Sequence, residues 1–271
     1  MSESTVSPLR RSARLMGTVA SIHVYDQFEE RIIDAAIDDA LIELERLEQM
    51  FSTFRPTSVI SQINRGELNL LDAPQEVIEV FDACTWLEHA TNGAFGIRRG
   101  DGTVDPAGFV KGWACERGAA RLAARGLGNF MFTIGGDLMV HGEPAPGARW
   151  TVAIADPLRP GEVIRSVEIE DGAVATSGTS ERGEHIRVAP SRASDGSDDL
   201  AALASFTVIG PSLTWSDAFA TAAFAMGPDG LGWVEQFVGY EGIAIDRKGV
   251  VTATDGFAHA RPDIAAEVPE A

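Results

Sequence analysis

The sequence is poor in cysteine and in basic residues, and each shortage excludes a class of protein. Its 271 residues include two cysteines, Cys84 and Cys115, which lie far apart without C-x-x-C spacing or a histidine at ligand spacing. A disulfide framework and a zinc site are both poorly supported, and a reduced compartment is expected. Lys and Arg number 22 against 40 Asp and Glu, a net charge of −18. Without a basic cluster, neither nucleic acid nor an anionic membrane surface is expected as a partner.

Long hydrophobic runs are also missing. No window approaches the roughly 18 apolar residues that a membrane span needs, and no apolar run follows Arg10 and Arg11 as a secretion signal would require. We therefore expect a cytoplasmic protein without membrane insertion. The 45% hydrophobic content excludes disorder, and a chain of this length buries a sizeable core without disulfides or a metal.

Hydrophobic periodicity predicts helices and strands that do not alternate strictly. Period-2 alternation predicts a strand at Thr18–Tyr25, and apolar residues three and four apart predict a long amphipathic helix from Glu29 to Phe51. Residues 52–74 are predicted to be a loop. Further helices are predicted from Pro74 to about His89, through Trp113 to about Arg125, and from Trp215 to Met226. Short strands are predicted at Met131–Ile134, Trp150–Ile154, Val163–Ile169, Ala173–Thr176, Phe206–Ile209 and Ile243–Ile245.

These elements predict a mixed α/β (α+β) fold. We find no internal repeat and no Pro/Ser-rich linker that would divide the chain. The expectation is a single intertwined domain over residues 15–260, with mixed sheets flanked by helices. A flexible leader is expected at 1–14 and a flexible tail at 261–271.

The segment Asp105-Pro106-Ala107-Gly108-Phe109-Val110-Lys111-Gly112 is the first chemical candidate. It places a carboxylate, a flexible backbone and an ammonium group just ahead of a predicted helix. Such a segment can direct N–H groups and Lys111 at a phosphate while its carbonyls face a hard cation. The alternative is a proline-containing turn that Asp105 caps, with Lys111 solvated.

A glycine pair in Ile134-Gly135-Gly136-Asp137 is the second candidate. Paired glycines let a ligand or another backbone approach closely. The segment matches neither a Walker loop nor G-x-G-x-x-G, so a plain turn at the end of a strand is an equal alternative.

The third candidate is the hydroxyl-rich segment Ala175-Thr176-Ser177-Gly178-Thr179-Ser180, followed by Glu184-His185-Ile186. Thr176 and Ser177 could bind phosphate oxygens, and His185 could move a proton near neutral pH. A polar surface turn with an incidental histidine is the alternative.

The fourth candidate lies on the helix predicted from Trp215. Asp217 and Thr221 are four residues apart, which places a carboxylate and a hydroxyl on one helix face. Oxygen ligands suit Mg²⁺, which often completes its shell with water and phosphate. Alternatively, Thr214-Trp215-Ser216-Asp217 has the spacing of a capping box, which would make Asp217 a residue of the helix start and nothing more.

In their order along the chain, these segments resemble the ApbE-type flavin transferases, also called FAD:protein FMN transferases. The similarity covers nearly the whole chain, and its specificity comes from the co-linear order. The further matching segments are Met16-Gly17-Thr18, Phe51-Ser52-Thr53-Phe54-Arg55-Pro56, Gly93-Ala94-Phe95 and Met226-Gly227.

The resemblance implies an ApbE-like flavin-binding fold, FAD as substrate and Mg²⁺ as cofactor. FMN would pass from FAD to a Ser or Thr hydroxyl of an acceptor flavoprotein, with release of AMP. Mg²⁺ would be held by the Gly108 carbonyl, Asp217 and Thr221, and the base would be Asp217 or His185. The flavin or its phosphates would contact Met16, Phe54, Ala94, Phe95, Gly96, Asp105, Lys111 and Ile186.

The chain departs from the usual family pattern near the ligand. Residues 187–191 replace a common Asp-Pro-x-Thr-Gly run, Phe54 stands where Tyr is common, and Gly96 replaces an Asp. Two alternatives therefore accompany the transferase. One is an FAD pyrophosphatase that uses water as nucleophile at the same site. The other is a non-catalytic FAD-binding module, against which the paired oxygens of Asp217 and Thr221 argue.

Overall fold

Ten strands and six α-helices form the described part of the chain, residues 7–178 and 203–258 of a computed structural model. The mixed α/β (α+β) class is confirmed. The strands are β1 (Leu9–Leu15), β2 (Thr18–Val24), β3 (Phe130–Ile134), β4 (Asp137–His141), β5 (Trp150–Ala155), β6 (Val163–Ile169), β7 (Gly172–Gly178), β8 (Leu203–Gly210), β9 (Glu241–Asp246) and β10 (Val251–Ala253). The helices are α1 (Glu30–Phe51), α2 (Val59–Asn64), α3 (Gln75–Ala90), α4 (Ala107–Ala124), α5 (Leu213–Met226) and α6 (Gly230–Val234).

Within the described ranges, eight strands form one sheet in the order β1-β2-β3-β4-β7-β8-β9-β10, and β5 pairs with β6 in a second sheet. Each strand pair described is antiparallel. This differs from the mixed strand directions expected from the sequence. Direct connections such as the β1–β2 and β3–β4 hairpins favour antiparallel neighbours.

The larger sheet is covered on both faces, and β7 shows the division. Ala173 and Ala175 belong to the core that contains the side chains of α1, α4 and α5. Val174, between them, belongs to a separate core with residues of the β5–β6 hairpin. The two-residue period of a strand explains this alternation. Helix α5 packs on β7 and β8, and α4 packs on α5, so α4, α5 and β7 meet at one place.

Strand β1 was not predicted from the sequence. It pairs with β2 from Leu9↔Val24 to Leu15↔Thr18, so residues 9–14 of the predicted leader are all strand. The turn consists of Met16 and Gly17, both with positive φ (55° and 73°), which suits a two-residue hairpin. Strand β1 lies at the edge of the sheet and buries little side-chain surface. Its sequence is therefore polar and shows no clear two-residue hydrophobic period.

The predicted loop at residues 52–74 contains the short helix α2. The Ser58 hydroxyl accepts a hydrogen bond from the Ser61 N–H at 3.0 Å, which caps this helix. Only Ile60 and Ser61 of α2 are buried. Six residues are too few for a helical period to be recognised, so a loop prediction was wrong here.

Helix α4 begins at Ala107, earlier than predicted. Asp105 Oδ1 accepts a hydrogen bond from the Ala107 N–H at 3.2 Å, and Pro106 precedes the first helical residue. Gly108, Lys111 and Gly112 therefore lie inside the helix and not ahead of it, as the sequence pattern had suggested. Helical geometry directs the side chain of Lys111 toward α5.

Cys84 and Cys115 are both buried and free. Burial raises the pKa of the Cys84 thiol to about 12. No helix in the described ranges is both long enough and apolar enough to cross a membrane.

Gly112 sets the close approach of α4 to α5, and we expect Gly112→Ala to destabilise the protein. A methyl group there would lie 2.6 Å from the Leu213 carbonyl oxygen and 3.1 Å from Asp217 Cβ. Overpacking of this kind costs roughly 1–3 kcal/mol, measurable by chemical denaturation. Gly108→Ala is the matched control in the same helix, since its methyl group would be 3.4 Å from Phe95 and 3.7 Å from Thr221. Equal stabilities of the two variants would contradict the packing argument.

Candidate active site

Two buried carboxylates share one lysine where α4, α5, β7 and the start of β4 meet. Lys111 Nζ pairs with Asp137 Oδ2 and lies 3.4 Å from Asp217 Oδ1. The side chains of Asp137 and Asp217 are 0% and 1% exposed, and that of Lys111 is 15% exposed. These groups are therefore almost completely removed from bulk water.

A second set of oxygens lies next to Asp217. Thr221, one helical turn further along α5, has its hydroxyl oxygen 3.1 Å from Ser177 Oγ of β7. Gly108 of α4 faces Thr221, because a methyl group built on Gly108 would lie 3.7 Å from Thr221 Cγ2 and 3.4 Å from Phe95 Cε2. The structure thus brings together five residues that the sequence analysis singled out: Phe95, Gly108, Ser177, Asp217 and Thr221.

The neighbouring strand residue Thr176 joins the cluster through its backbone. Its N–H donates a hydrogen bond to Asp137 Oδ1 at 2.8 Å, and its hydroxyl is hydrogen bonded to that of Thr207 at 2.8 Å. Thr176 therefore contacts the carboxylate pair by its amide, while its side chain binds β8.

Asp217 is also bound by the backbone of α4. Its Oδ2 accepts a hydrogen bond from the Gly112 N–H at 3.1 Å. In an ideal α-helix that N–H would donate to the Gly108 carbonyl, so Asp217 competes with Gly108 for the donor.

The capping-box interpretation of Asp217 is wrong. Helix α5 begins at Leu213, and its N-cap is Ser212, whose hydroxyl accepts from the Trp215 N–H. The Thr214 hydroxyl donates to the Glu116 carboxylate instead. Asp217 therefore lies beyond the first turn, where its carboxylate is directed at α4 and is free of a capping role.

The electrostatics of the cluster depend on its two buried carboxylates. Asp137 and Asp217 both lie within ion-pair range of Lys111, and a buried carboxylate is costly unless a proton or a cation balances it. Burial, and next the Asp217 carboxylate, raise the pKa of Asp137 to about 7, although Lys111 and the Thr176 N–H act in the opposite direction. The site therefore favours a proton on Asp137 up to about neutral pH.

The donor set fits a hard divalent cation. Asp217 supplies a carboxylate, Thr221 a hydroxyl and Gly108 a backbone carbonyl, and all three are oxygen ligands of the kind that Mg²⁺ takes. No group of three or more His, Cys, Asp or Glu residues in the described ranges could hold a metal ion. A cation here would depend on hydroxyl, carbonyl and substrate oxygens.

The raised pKa of Asp137 predicts a pH-dependent stability in metal-free protein. Between about pH 4 and 7 the folded protein binds a proton at Asp137 that the unfolded chain does not bind. The free energy of unfolding should therefore fall as pH rises, by roughly 2–3 kcal/mol between pH 5 and 8. Chemical denaturation in EDTA measures it. Asp137→Asn should lack this decline, and parallel pH curves for the two proteins would contradict the assignment.

The comparisons with known proteins agree with the order of the motifs. Residues 16–102 and 97–244 match the model of the ApbE family. These two matches together cover most of the chain. The chain belongs to the ApbE family.

One curated ApbE relative matches part of the chain. A curated FAD:protein FMN transferase from Vibrio cholerae is 36% identical over 76 residues, 28% of this chain and 23% of that protein. The match therefore spans about a quarter of the curated relative's length.

Three solved ApbE structures superpose on nearly the whole chain. The ApbE protein of Thermotoga maritima has a TM-score of 0.76 and 22% identity, covering 93% of this chain and 99% of that one. The flavin transferase ApbE of Vibrio cholerae has a TM-score of 0.76 and 21% identity, and the match covers 93% of this chain and 99% of that one. The apo flavinyl transferase ApbE of Pseudomonas stutzeri has a TM-score of 0.76 and 20% identity, and the match covers 96% of this chain and 99% of that one. The predicted ApbE-like fold is confirmed.

The loop between α3 and α4 of this ApbE chain holds four of the residues that were expected to contact flavin. Phe95 is buried, whereas Ala94 is half-buried and Gly96 is exposed. Asp105 pairs with Arg99 and caps α4, so its carboxylate already binds protein groups. These residues border the start of α4, where Gly108 lies.

The remaining predicted residues of this ApbE chain are placed separately. Met16 is half-buried in the β1–β2 turn, and Phe54, after α1, is 92% exposed. His185 and Ile186 lie outside the described residues, so their predicted roles stay predictions.

Asp137 and Gly112 of this ApbE chain lie in two of the candidate segments, but the sequence analysis assigned neither residue a role. Gly135 and Gly136 both have positive φ (56° and 94°) and form the two-residue turn between β3 and β4. Asp137 is thereby the first residue of β4 and is fully buried. A carboxylate directly after an apolar strand and a tight turn was the available signal.

Proposed function

We propose that this protein is a Mg²⁺-dependent FAD:protein FMN transferase that moves FMN from FAD to a Ser or Thr hydroxyl of a target flavoprotein and releases AMP. One observation carries the proposal. In a chain of the ApbE family, the buried Asp217 carboxylate lies one helical turn from the Thr221 hydroxyl, and Gly108 of α4 packs against Thr221.

The proposed cation ligands are the Asp217 carboxylate, the Thr221 hydroxyl and the Gly108 carbonyl. Bound there, Mg²⁺ would neutralise phosphate charge and make AMP a better leaving group. Ser177 orients the Thr221 hydroxyl through their 3.1 Å contact. The Gly112 N–H holds Asp217 Oδ2 in place, which keeps the carboxylate directed between α4 and α5.

The charge of the protein explains why a cation is needed. FAD carries a negatively charged pyrophosphate, and the chain has a net charge of −18. Lys111 is a cationic side chain at the carboxylate pair, and it is already engaged by Asp137. A divalent cation would reverse the sign of the local charge and allow the pyrophosphate to approach.

The reaction exchanges one P–O bond for another. The acceptor hydroxyl oxygen attacks the phosphorus of the FMN half, and the bond from that phosphorus to the bridging oxygen breaks. AMP leaves with the bridging oxygen, and the hydroxyl proton passes to a base. Asp217 and His185 are the two candidate bases.

The test is an incubation of purified protein with FAD and an acceptor peptide that carries a Ser or Thr hydroxyl. Mg²⁺ and EDTA conditions are compared, and chromatography with mass spectrometry measures AMP, free FMN and peptide-bound FMN. We expect AMP and modified peptide in equal amounts, only with Mg²⁺.

Other outcomes separate the alternatives. AMP with an equal amount of free FMN, and unmodified peptide, would identify an FAD pyrophosphatase. FAD that remains bound and intact with both Mg²⁺ and acceptor peptides present would contradict catalysis and favour a binding module.

A further inference from the structure

We propose that strand β1, at the edge of the large sheet, is a docking site for an extended acidic segment of a partner protein. The segment would add to β1 as an antiparallel strand and place two carboxylates, four residues apart, opposite Arg10 and Arg14. Strands β2, β3 and β4 separate β1 from β7 of the candidate active site. The inference therefore does not depend on the proposed transferase activity.

The two faces of β1 differ in what covers them. On one face Arg11 pairs with Asp34 of α1, because α1 packs against this side of the strand. The alternate residues Arg10, Ser12 and Arg14 are exposed on the other face. The β5–β6 hairpin covers that face only further along the sheet, and its core contains no residue of β1, β2 or β3 within the described ranges.

The exposed residues of β1 form a row with their neighbours on β2. Ser12 Oγ and Ser21 Oγ are 2.7 Å apart, and Arg10 is opposite His23. Burial, and next the charge of Arg10, lower the pKa of His23, so His23 is mostly neutral at pH 7. The positive charge of the row at neutral pH therefore comes from Arg10 and Arg14.

These two arginines are available for carboxylates of a partner. Neither forms an ion pair with another residue in the described part of the chain, whereas Arg11 between them does. Four residues of strand separate Arg10 from Arg14 by about 13 Å. In a chain with a net charge of −18, such a row favours an acidic partner over a basic one.

The backbone of the same residues is directed away from β2. Val19, which is opposite Arg14, accepts a hydrogen bond from the Gly135 N–H with its carbonyl oxygen at 3.1 Å, so its backbone polar groups face β3. The alternation of an antiparallel pair then directs the N–H and C=O of Arg10, Ser12 and Arg14 outward. Strand β1 ends the described sheet, so this edge offers donors and acceptors that suit an added polypeptide strand.

A second copy of the chain fits this edge less well than an acidic segment. Two β1 strands paired antiparallel about Ser12 would place each Arg10 opposite an Arg14. Like charges directly opposite each other in a sheet are destabilising. Carboxylates at those two positions would instead form cross-strand ion pairs.

The first test uses a fluorescent peptide, Val-Glu-Val-Thr-Val-Glu-Val, whose two glutamates lie on one side of an extended strand. Fluorescence anisotropy with the full-length protein gives its Kd. We expect Arg10→Gln/Arg14→Gln to weaken binding roughly 3–30-fold. Arg11→Gln/Arg31→Gln removes the same total charge at arginines that pair with other residues, and it should change Kd less than about twofold.

Two methylated peptides separate strand addition from charge attraction alone. In the antiparallel register the threonine N–H is directed at Ser12, so a methyl group on that nitrogen should weaken binding about fivefold or more. The N–H of the preceding valine points away from β1, so a methyl group there should leave Kd close to that of the unmodified peptide. The protein is unchanged in this comparison, and its folding is therefore not in question.

Circular dichroism and thermal unfolding check that the two arginine variants are folded. Wild-type protein that does not bind the glutamate peptide would overturn the docking site, as would equal Kd values for wild type and Arg10→Gln/Arg14→Gln. Equal effects of the two methyl groups would overturn strand addition. Sedimentation that shows dimers of wild type, which the peptide does not dissociate, would assign the edge to a second copy instead. None of these measurements involves FAD or Mg²⁺, so the proposed function is tested separately.

Discussion

Asp217→Asn should remove the metal-dependent turnover of FAD. Asparagine keeps the size of the side chain and an oxygen that can accept the Gly112 N–H, but it lacks the charge that holds a cation. A Lewis acid contributes several kcal/mol to phosphoryl transfer, and each 1.4 kcal/mol is a factor of ten, so we expect a loss of at least about a hundredfold. AMP release from FAD at saturating Mg²⁺ measures it.

The same variant should be folded and insensitive to Mg²⁺. Asp217→Asn keeps the Lys111–Asp137 ion pair and removes one buried carboxylate, so metal-free thermal stability should be equal or higher. The rise in Tm that Mg²⁺ produces in wild type should disappear. Asp38→Asn, on an exposed position of α1, is the control for loss of a carboxylate. A wild-type Mg²⁺ response in Asp217→Asn would show that the ligand assignment is wrong.

Thr221→Val should raise the Mg²⁺ concentration needed for turnover. Valine has nearly the shape of threonine but no hydroxyl, so the contact with Ser177 Oγ and one proposed oxygen ligand are lost. We expect roughly a 10–100-fold weaker apparent Mg²⁺ affinity. AMP release measured over a range of Mg²⁺ concentrations gives the shift, and a large excess of Mg²⁺ should restore part of the rate.

Thr221→Ser is the matched control, because it keeps the hydroxyl and removes only a methyl group. It should need a Mg²⁺ concentration close to that of wild type. If Thr221→Ser were impaired as strongly as Thr221→Val, packing of the threonine methyl group against α4 would explain the effect, and the hydroxyl would not be a ligand. Thermal unfolding of both variants excludes a general loss of stability.

Hydrophobic patterns within one segment were sufficient to predict those helices and strands whose buried residues recur at a single period. Helix α1 has buried residues on one face from Ile33 to Phe51, and the sequence predicted it within one residue at its start. The strand pattern at Thr18–Tyr25 likewise predicted β2 (Thr18–Val24). The i, i+4 spacing of Asp217 and Thr221 on α5 needed only helical geometry.

The sequence by itself determined the α+β class, the main helices and the Asp217–Thr221 pair, because these depend on periods within one segment. Only the tertiary structure decided that Lys111 is shared by Asp137 and Asp217, and that Gly112 lets α4 approach α5. Lys111 and Asp137 are 26 residues apart, and Gly112 and Asp217 are 105 apart. Contacts at such separations depend on which strands and helices become neighbours, and hydrophobic periodicity within a segment does not specify that.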